Sequence, residues 1–239
     1  MGRFVSEDPI GLAGGTNQFG YVRNNPQNAT DPSGLYEIDV HYYLTYFLAL
    51  KTGCFSDAKA RAIAQADQAT DENEKTSPGF GWSAAQREKN RKYHDLQSGN
   101  YEGQVAPDLL RDATDDAGEG TLLHFTQDSF SHAGYESDVY GHLFGLHYYD
   151  KTASDVPRAL RMAGATWIAL NDYAEKTCGC RGKWDPSWWQ QVVEFSSAQA
   201  ANFGALETID SKGELENFGM TNSPLYLRYK IGYLGLEPR

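Results

Sequence analysis

Cysteine is scarce in this sequence, which limits what can hold the fold together. The 239 residues include three cysteines, Cys54, Cys178 and Cys180. An odd and small number argues against a scaffold built on paired disulfides. Two ordinary thiols near a helix end are the expectation for Cys178-Gly-Cys180. A strained disulfide between these two residues, or half of a metal clip, are the alternatives.

Positive charge and long apolar runs are also lacking. Lysine and arginine number 21 against 32 acidic residues, which gives a net charge of −11. This argues against a broad basic face that grips a nucleic-acid backbone, although a nuclease whose cations screen the phosphates stays open. The longest apolar run, "YYLTYFLAL", is too short to span a bilayer. No signal peptide is recognisable, so we expect another element to carry the protein if it is exported.

Residues 1–35 differ in composition from the rest. They are rich in Gly, Pro and Asn, which indicates turns and short β segments. They also contain a repeat, "DPIGL" at 8–12 and "DPSGL" at 31–35. Taken alone, each Asp-Pro pair is explained by the start of a turn.

The spaced DPxGL pair resembles the end of the core domain of Rhs-repeat (YD-repeat) proteins. The resemblance implies aspartyl self-cleavage, with Asp8 and Asp31 as paired carboxylates and Leu35–Tyr36 as the bond that is cut. Two close carboxylates suit this role because one can act as base and the other as acid.

The same resemblance implies two domains, the end of the Rhs core at 1–35 and a C-terminal toxin domain at 36–239. The toxin would be an effector of interbacterial competition that carries no signal peptide. The Rhs core shell and a secretion machine would deliver it to the periplasm, membrane or cytoplasm of a target cell. A cognate immunity protein would oppose it.

Residues 36–239 are expected to be mostly α-helical. Helix-period apolar positions and capping signals predict six helices, and the last thirty residues are expected to be irregular or a short hairpin. The signals are a stop at Gly53, a cap at Ser56, the polar stretch "SAAQREKNRKYHDLQ", a start near Thr121, Pro157 in a first turn, and Asp185 followed by Pro186.

The six histidines supply the main functional signal. His124, Asp128 and His132 are spaced four residues apart, so they project from one stripe of a helix. The stripe is about 12 Å long, at about 1.5 Å per residue, so one ion does not reach both ends. Two or three ions that share Asp128 would cover the whole stripe. Asp67 and Asp71 are either a source of a bridging carboxylate or part of a solvated helix face.

The order of these residues resembles the zinc-dependent phospholipase C and S1/P1 nuclease superfamily. That family implies a multi-helix, mostly α domain with three zinc ions in a cleft. In this chain we expect two or three zinc ions. The resemblance also implies a ligand set in this chain: His41, Asp67, Asp71, His94, His124, Asp128, His132, His142, His147 and Asp150.

The chain departs from that family near the end of the motif. His147 precedes Asp150 by three residues where the family has a glutamate four residues later, and His142 has no acid at that spacing. Family members also use the mature N-terminus as a ligand. Cleavage after Leu35 would free the amine of Tyr36 close to His41.

These observations predict a metal-dependent phosphodiesterase in which Asp71 or Asp128 orients the attacking water. Phospholipid is the preferred substrate because the chain is acidic, and nucleic acid is the alternative, since the many aromatic residues suit acyl chains and stacked bases equally. A non-enzymatic toxin with a structural metal is the rival from another class. A metallopeptidase ranks lower because no HExxH motif is present.

Overall fold

The computed structural model describes residues 38–76, 83–96, 101–112, 114–133, 152–198 and 224–238. Across these ranges the structure is mostly helical and contains no strand. The chain divides into two compact units, Glu37–Ala198 and, separately, Met1–Tyr36 with Gln199–Arg239. No helix within the described ranges is long and apolar enough to cross a membrane.

The N-terminal predictions lie outside the described residues. They are the Rhs-core segment with its boundary at residue 35, and the self-cleavage residues Asp8, Asp31, Leu35 and Tyr36. They stay predictions.

The larger unit starts with a π-helical segment, Asp39–Leu44, that continues into the first α-helix. A single 3₁₀ turn, Thr152–Ser154, precedes its longest helix. Its α-helices are α1 (Thr45–Lys51), α2 (Asp57–Glu72), α3 (Ala84–Tyr93), α4 (Asp108–Arg111), α5 (Asp116–Ser131), α6 (Val156–Cys178) and α7 (Pro186–Ser197). The smaller unit contributes α8, Pro224–Gly232.

Side-chain caps start the helices where the sequence predicted them. The Ser56 hydroxyl accepts a hydrogen bond from the Lys59 amide at the start of α2. Ser83 and Gln86 form a reciprocal capping box on α3. Asp185 caps α7, with Pro186 as its first residue. These predicted starts are confirmed.

Helix α5 begins earlier than predicted. Its first residue is Asp116, capped by Asp115, and not a residue near Thr121. Its first turns contain Gly118 and Gly120, and glycine has a low helix propensity. Gly120 has a packing role instead, because a Cβ there would lie 2.5 Å from the amide nitrogen of Asp67. The glycine allows α5 and α2 to approach closely.

Two further elements differ from the expectation. Residues 224–232, within the last thirty residues, form α8 and not an irregular segment or a hairpin. Pro224 is the first residue of that helix, a position where the missing N–H costs nothing. The π-helical segment was not predicted either, because the apolar pattern does not distinguish it from an α-helix.

The cysteine expectation is wrong. Cys180 forms a disulfide with Cys54, and Cys178 is the free, exposed thiol. The partners are 126 residues apart in sequence, so local spacing gave no signal. The fold brings the end of α1 beside the end of α6, where a Cβ on Gly182 would lie 2.4 Å from the Thr52 carbonyl oxygen.

Helix α5 is the centre of the larger unit. It packs against α2 on one side and α6 on another, and it also contacts α3, α4 and the π-helical segment. Side chains on different faces of this one helix therefore reach different neighbours. One face carries His124 and Asp128.

Candidate metal centre

Six predicted site residues from separate elements meet beside α5. Five of their side chains are almost fully buried, and Asp71 is the most exposed, at 15%. They are His41 from the π-helical segment, Asp67 and Asp71 from α2, His94 from the end of α3, and His124 and Asp128 from α5.

Within the described residues the ligand atoms converge in two overlapping groups of three: His41, His124 and Asp128, and Asp71, His94 and His124. The short distances join Nδ1 of His94, Nε2 of His124, Oδ1 of Asp71 and Oδ2 of Asp128. The His94 nitrogen is 3.0 Å from that of His124 and 3.1 Å from the Asp128 oxygen. The His124 nitrogen is 3.2 Å from the Asp128 oxygen and 3.3 Å from the Asp71 oxygen. Nδ1 of His94 and Oδ1 of Asp71 are 3.6 Å apart.

These separations of 3.0–3.6 Å are those of neighbouring ligand atoms around a divalent ion. Zinc bonds to nitrogen or oxygen are about 2.0–2.1 Å long, which places tetrahedral ligand atoms about 3.3 Å apart. Two His nitrogens and two carboxylate oxygens are a suitable donor set. The residues therefore fit a divalent ion of this kind.

The same two carboxylates point their other oxygens towards His41. Its Nε2 is 3.6 Å from Oδ1 of Asp128 and 3.9 Å from Oδ2 of Asp71. Neither oxygen has a hydrogen-bond partner in the described part of the chain. Asp71 and Asp128 thus each have one oxygen on the side of His94 and His124 and the other oxygen on the side of His41.

Hydrogen bonds orient the imidazoles so that one nitrogen of each faces the cluster. His94 donates from Nε2 to the Thr76 carbonyl oxygen at 2.8 Å, which leaves Nδ1 facing inward. His124 donates from Nδ1 to the Asp67 carbonyl oxygen at 3.1 Å, which leaves Nε2 facing inward. Such partners fix the tautomer and orientation of metal-binding histidines.

A polar chain that sequence reasoning missed orients His41. Its Nδ1 lies 2.6 Å from Oε1 of Gln127. The Gln127 amide donates to the Thr45 hydroxyl at 2.7 Å, and Thr45 donates to Oδ2 of Asp67 at 2.7 Å. Thr45 follows His41 by four residues in sequence, so both lie on one side of a helix, and this spacing is the signal that could have identified Thr45 as part of the polar chain. Asp67, predicted as a ligand, therefore contacts His41 and His124 but belongs to neither group of converging ligand atoms in the described ranges.

The cluster places three carboxylates in the interior: Asp67, Asp71 and Asp128. Within the described residues their ion-pair partners are histidines, with no lysine or arginine. Buried carboxylates without enough positive charge are costly. Bound divalent cations would supply the missing charge.

The pKa shifts reflect this crowding in the metal-free protein. Burial opposes the charged form of each group, but the His124 charge outweighs it and lowers the pKa of Asp71 and, strongly, that of Asp128. The carboxylates of Asp71 and Asp128 likewise outweigh burial at His124 and raise the pKa of its imidazole well above the ordinary value. A metal at this nitrogen must displace a proton.

Four predicted ligands have a different outcome. His132 forms the C-terminal cap of α5, and its Nδ1 donates to the His94 carbonyl oxygen at 3.2 Å. It is outside the two groups of converging ligand atoms found in the described ranges. His142, His147 and Asp150 lie outside the described residues, so their roles stay predictions.

Comparison with known proteins found one family model that matches the first part of the larger unit. The model of a family of unknown function, DUF6765, matches residues 36–104. This stretch contains His41, Asp67, Asp71 and His94 but not α5. No curated protein and no solved structure matches the chain. The first part of the chain is thus similar to a family whose own function is unknown.

Proposed function

We propose that residues 36–239 act as a zinc-dependent phosphoric-diester hydrolase, similar in fold to the phospholipase C and S1/P1 nuclease superfamily. One observation carries the proposal. Asp71 and Asp128 each present one oxygen to the His94–His124 pair and the other oxygen to His41. Two carboxylates shared in this way are suited to a pair of ions, and paired ions clamp the attacking and leaving oxygens of a phosphodiester.

The chain's own residues would divide the work. His94, His124 and Asp128 are the buried ligands that set the position of the centre. Asp71, whose side chain is the most exposed of the set, or Asp128 would orient the attacking water. Bound zinc would lower the pKa of that water and stabilise charge on the phosphate oxygens. A third ion held with His132, His142, His147 or Asp150 stays part of the proposal.

Phospholipid is the proposed substrate. The net charge of −11 disfavours a polyanionic nucleic acid. The Cys54–Cys180 disulfide favours action in an oxidising compartment such as the periplasm, because disulfides persist there and are rare in the cytosol. Nucleic acid in the cytoplasm is the alternative substrate.

We infer the biological setting from the sequence resemblance alone. The chain would be the C-terminal part of an Rhs effector, delivered into a competing cell by secretion machinery. A cognate immunity protein would bind and inhibit it in the producing cell.

Metal content and substrate panels test the proposal together. Purified protein should contain at least two zinc ions per chain by elemental analysis. It should hydrolyse phosphatidylcholine or phosphatidylethanolamine vesicles and release a phosphorylated headgroup, with little effect on DNA or RNA. His94→Ala should lose both zinc and hydrolysis. Glu88→Gln, an exposed position on the helix that precedes His94, is the matched control and should lose neither.

Other outcomes lead to different conclusions. Cleavage of DNA or RNA without phospholipid hydrolysis would assign the nuclease function to the same centre. Toxicity that survives His94→Ala in a folded protein would favour a non-enzymatic toxin with a structural metal. A protein that takes up no divalent ion would refute the metal centre itself.

A further inference from the structure

A cavity lies on another face of α5, away from the metal centre. It has a volume of about 360 Å³ and is formed mainly between α5 and α6. On α5 it is lined by Leu122, Thr126 and Phe130. These residues are offset by two positions from His124 and Asp128, which is about 200° around the helix. The volume is in the range of small-molecule sites.

The cavity is polar at one end and apolar at the other. Phe130 lines it at the C-terminal end of α5, and the small side chains of Ala165 and Ala169 on α6 leave room beside it. Glu119 lies eleven residues before Phe130, about 16 Å along the helix. The Tyr173 hydroxyl on α6 donates to Asp116 at the start of α5 at 2.8 Å, so the C-terminal part of α6, with Lys176, lies beside the end of α5 that carries Glu119.

Glu119 is the buried polar group in this lining. Its side chain is 2% exposed, and Oε1 has no hydrogen-bond partner among the described residues. The other three charged lining residues lie in more exposed positions: Arg111 pairs with Asp108, Asp172 pairs with Arg181, and Lys176 is exposed near the end of α6. A buried oxygen without a donor costs free energy unless a ligand supplies one.

We propose that this groove binds an amphiphilic organic cation, an ammonium group carried on an apolar chain. The ammonium would donate to the Glu119 carboxylate, and the chain would lie along Ala165, Ala169 and Phe130. An anionic head is disfavoured because the buried group is an acid. A metal ion is disfavoured because this end of the cavity offers one buried carboxylate and no histidine.

The electrostatics of the groove agree with a cationic ligand. Burial raises the pKa of Glu119 to about 8, so the empty site holds a proton at neutral pH. A bound ammonium would stabilise the charged carboxylate and replace that proton. The groove is separate from the metal centre, so this inference does not depend on the hydrolase activity.

Calorimetric titration of the full chain at pH 7.5 with three eight-carbon probes tests the proposal. The probes are n-octylamine, 1-octanol and octanoate, which differ only in the head group. Octylamine should bind at least tenfold more tightly than the other two. Glu119→Gln should weaken octylamine at least tenfold and leave octanol unchanged. Glu175→Gln, an exposed acid on α6, should change nothing.

A second variant tests the apolar half of the groove. Ala169→Phe fills the cavity and should abolish octylamine binding while zinc content stays that of the unmodified protein. Octanoate as the tightest probe, or octylamine binding that is unaffected by Glu119→Gln or by Ala169→Phe, would overturn the proposal. A complete lack of octylamine binding by the unmodified chain would overturn it as well.

Discussion

Helix α5 buries acids on two of its faces, and the two faces affect them in opposite ways. On one face, neighbouring histidines lower the pKa of Asp128 well below its ordinary value. On the other face, burial raises the pKa of Glu119 to about 8. The difference is the neighbouring charge: Asp128 lies among imidazoles, whereas at Glu119 the effect of Lys176 is opposed by burial and by the acids Asp67, Asp172 and Asp116. Burial alone does not identify a metal ligand; converging partners do.

Amide substitutions of the buried acids on the two faces should have the largest difference in effect on zinc affinity. Asp128→Asn removes a carboxylate shared by both proposed ion positions, so we expect zinc affinity to fall at least about 1,000-fold. Glu119→Gln should leave zinc affinity unchanged. Competition with a chromophoric chelator measures both. Asp112→Asn, on the surface at the end of α4, is the control. Equal losses in the two variants would contradict the assignment of separate sites.

The stability of the fold should depend on pH through Glu119. Its pKa is 4.5 ordinarily and about 8 in the folded chain, so the folded state binds more protons between these values and its stability falls as pH rises. Glu119→Gln removes this loss and should be about 2–3 kcal/mol more stable than the unmodified chain at pH 9.

Urea unfolding at pH 5 and pH 9 measures this difference. At pH 5 the two proteins should differ by less than about 1 kcal/mol, because Glu119 is protonated in the folded state there. The comparison uses metal-free samples, so that zinc binding does not contribute. A difference that does not grow between pH 5 and pH 9 would contradict the raised pKa.

Zinc affinity at the face of α5 that carries His124 should increase as pH rises, whereas the stability of the fold decreases through Glu119. The raised pKa of His124 means that the metal-free centre holds a proton that zinc must displace. Apparent zinc affinity should therefore increase as pH rises, by about tenfold per pH unit for one displaced proton. Titrations at pH 6, 7 and 8 measure the slope. A flat profile would show that His124 does not give up a proton on binding.

The smallest expected effect concerns Gln127. Gln127→Leu removes the hydrogen bond that orients His41 without removing a ligand, so zinc affinity should fall about tenfold. The second ion should be lost first, because His41 lies on its side of the bridge. Stoichiometric titration distinguishes one ion from two. Gln127→Glu, which keeps the acceptor oxygen, should restore most of the affinity.

The sequence identified much of this centre and less of what supports it. His124 and Asp128 were predictable because four-residue spacing on a helix is a local property. His94 and the Asp67/Asp71 pair followed from a motif order. The partners that orient the rings, the carbonyl oxygen of Thr76 and the side chain of Gln127, depend on contacts between elements distant in sequence.

The same limit explains the errors in the fold. The Cys54–Cys180 pairing links the ends of two helices that are far apart in sequence. Helix α5 starts before Gly120, although the low helix propensity of glycine, read alone, predicts a break there. Only the contact of Gly120 with α2 shows why a residue without a side chain is required there. The apolar pattern still predicted the mostly helical class, because amphipathic periodicity needs no long-range information.

Gly120 also sets a dimension of the metal centre. Asp71 is on α2 and Asp128 is on α5, so the gap between the two helices determines how far apart the bridging carboxylates sit. A methyl group at position 120 would force the helices apart at their closest approach. An alanine at position 120 would therefore change the separation of Asp71 and Asp128.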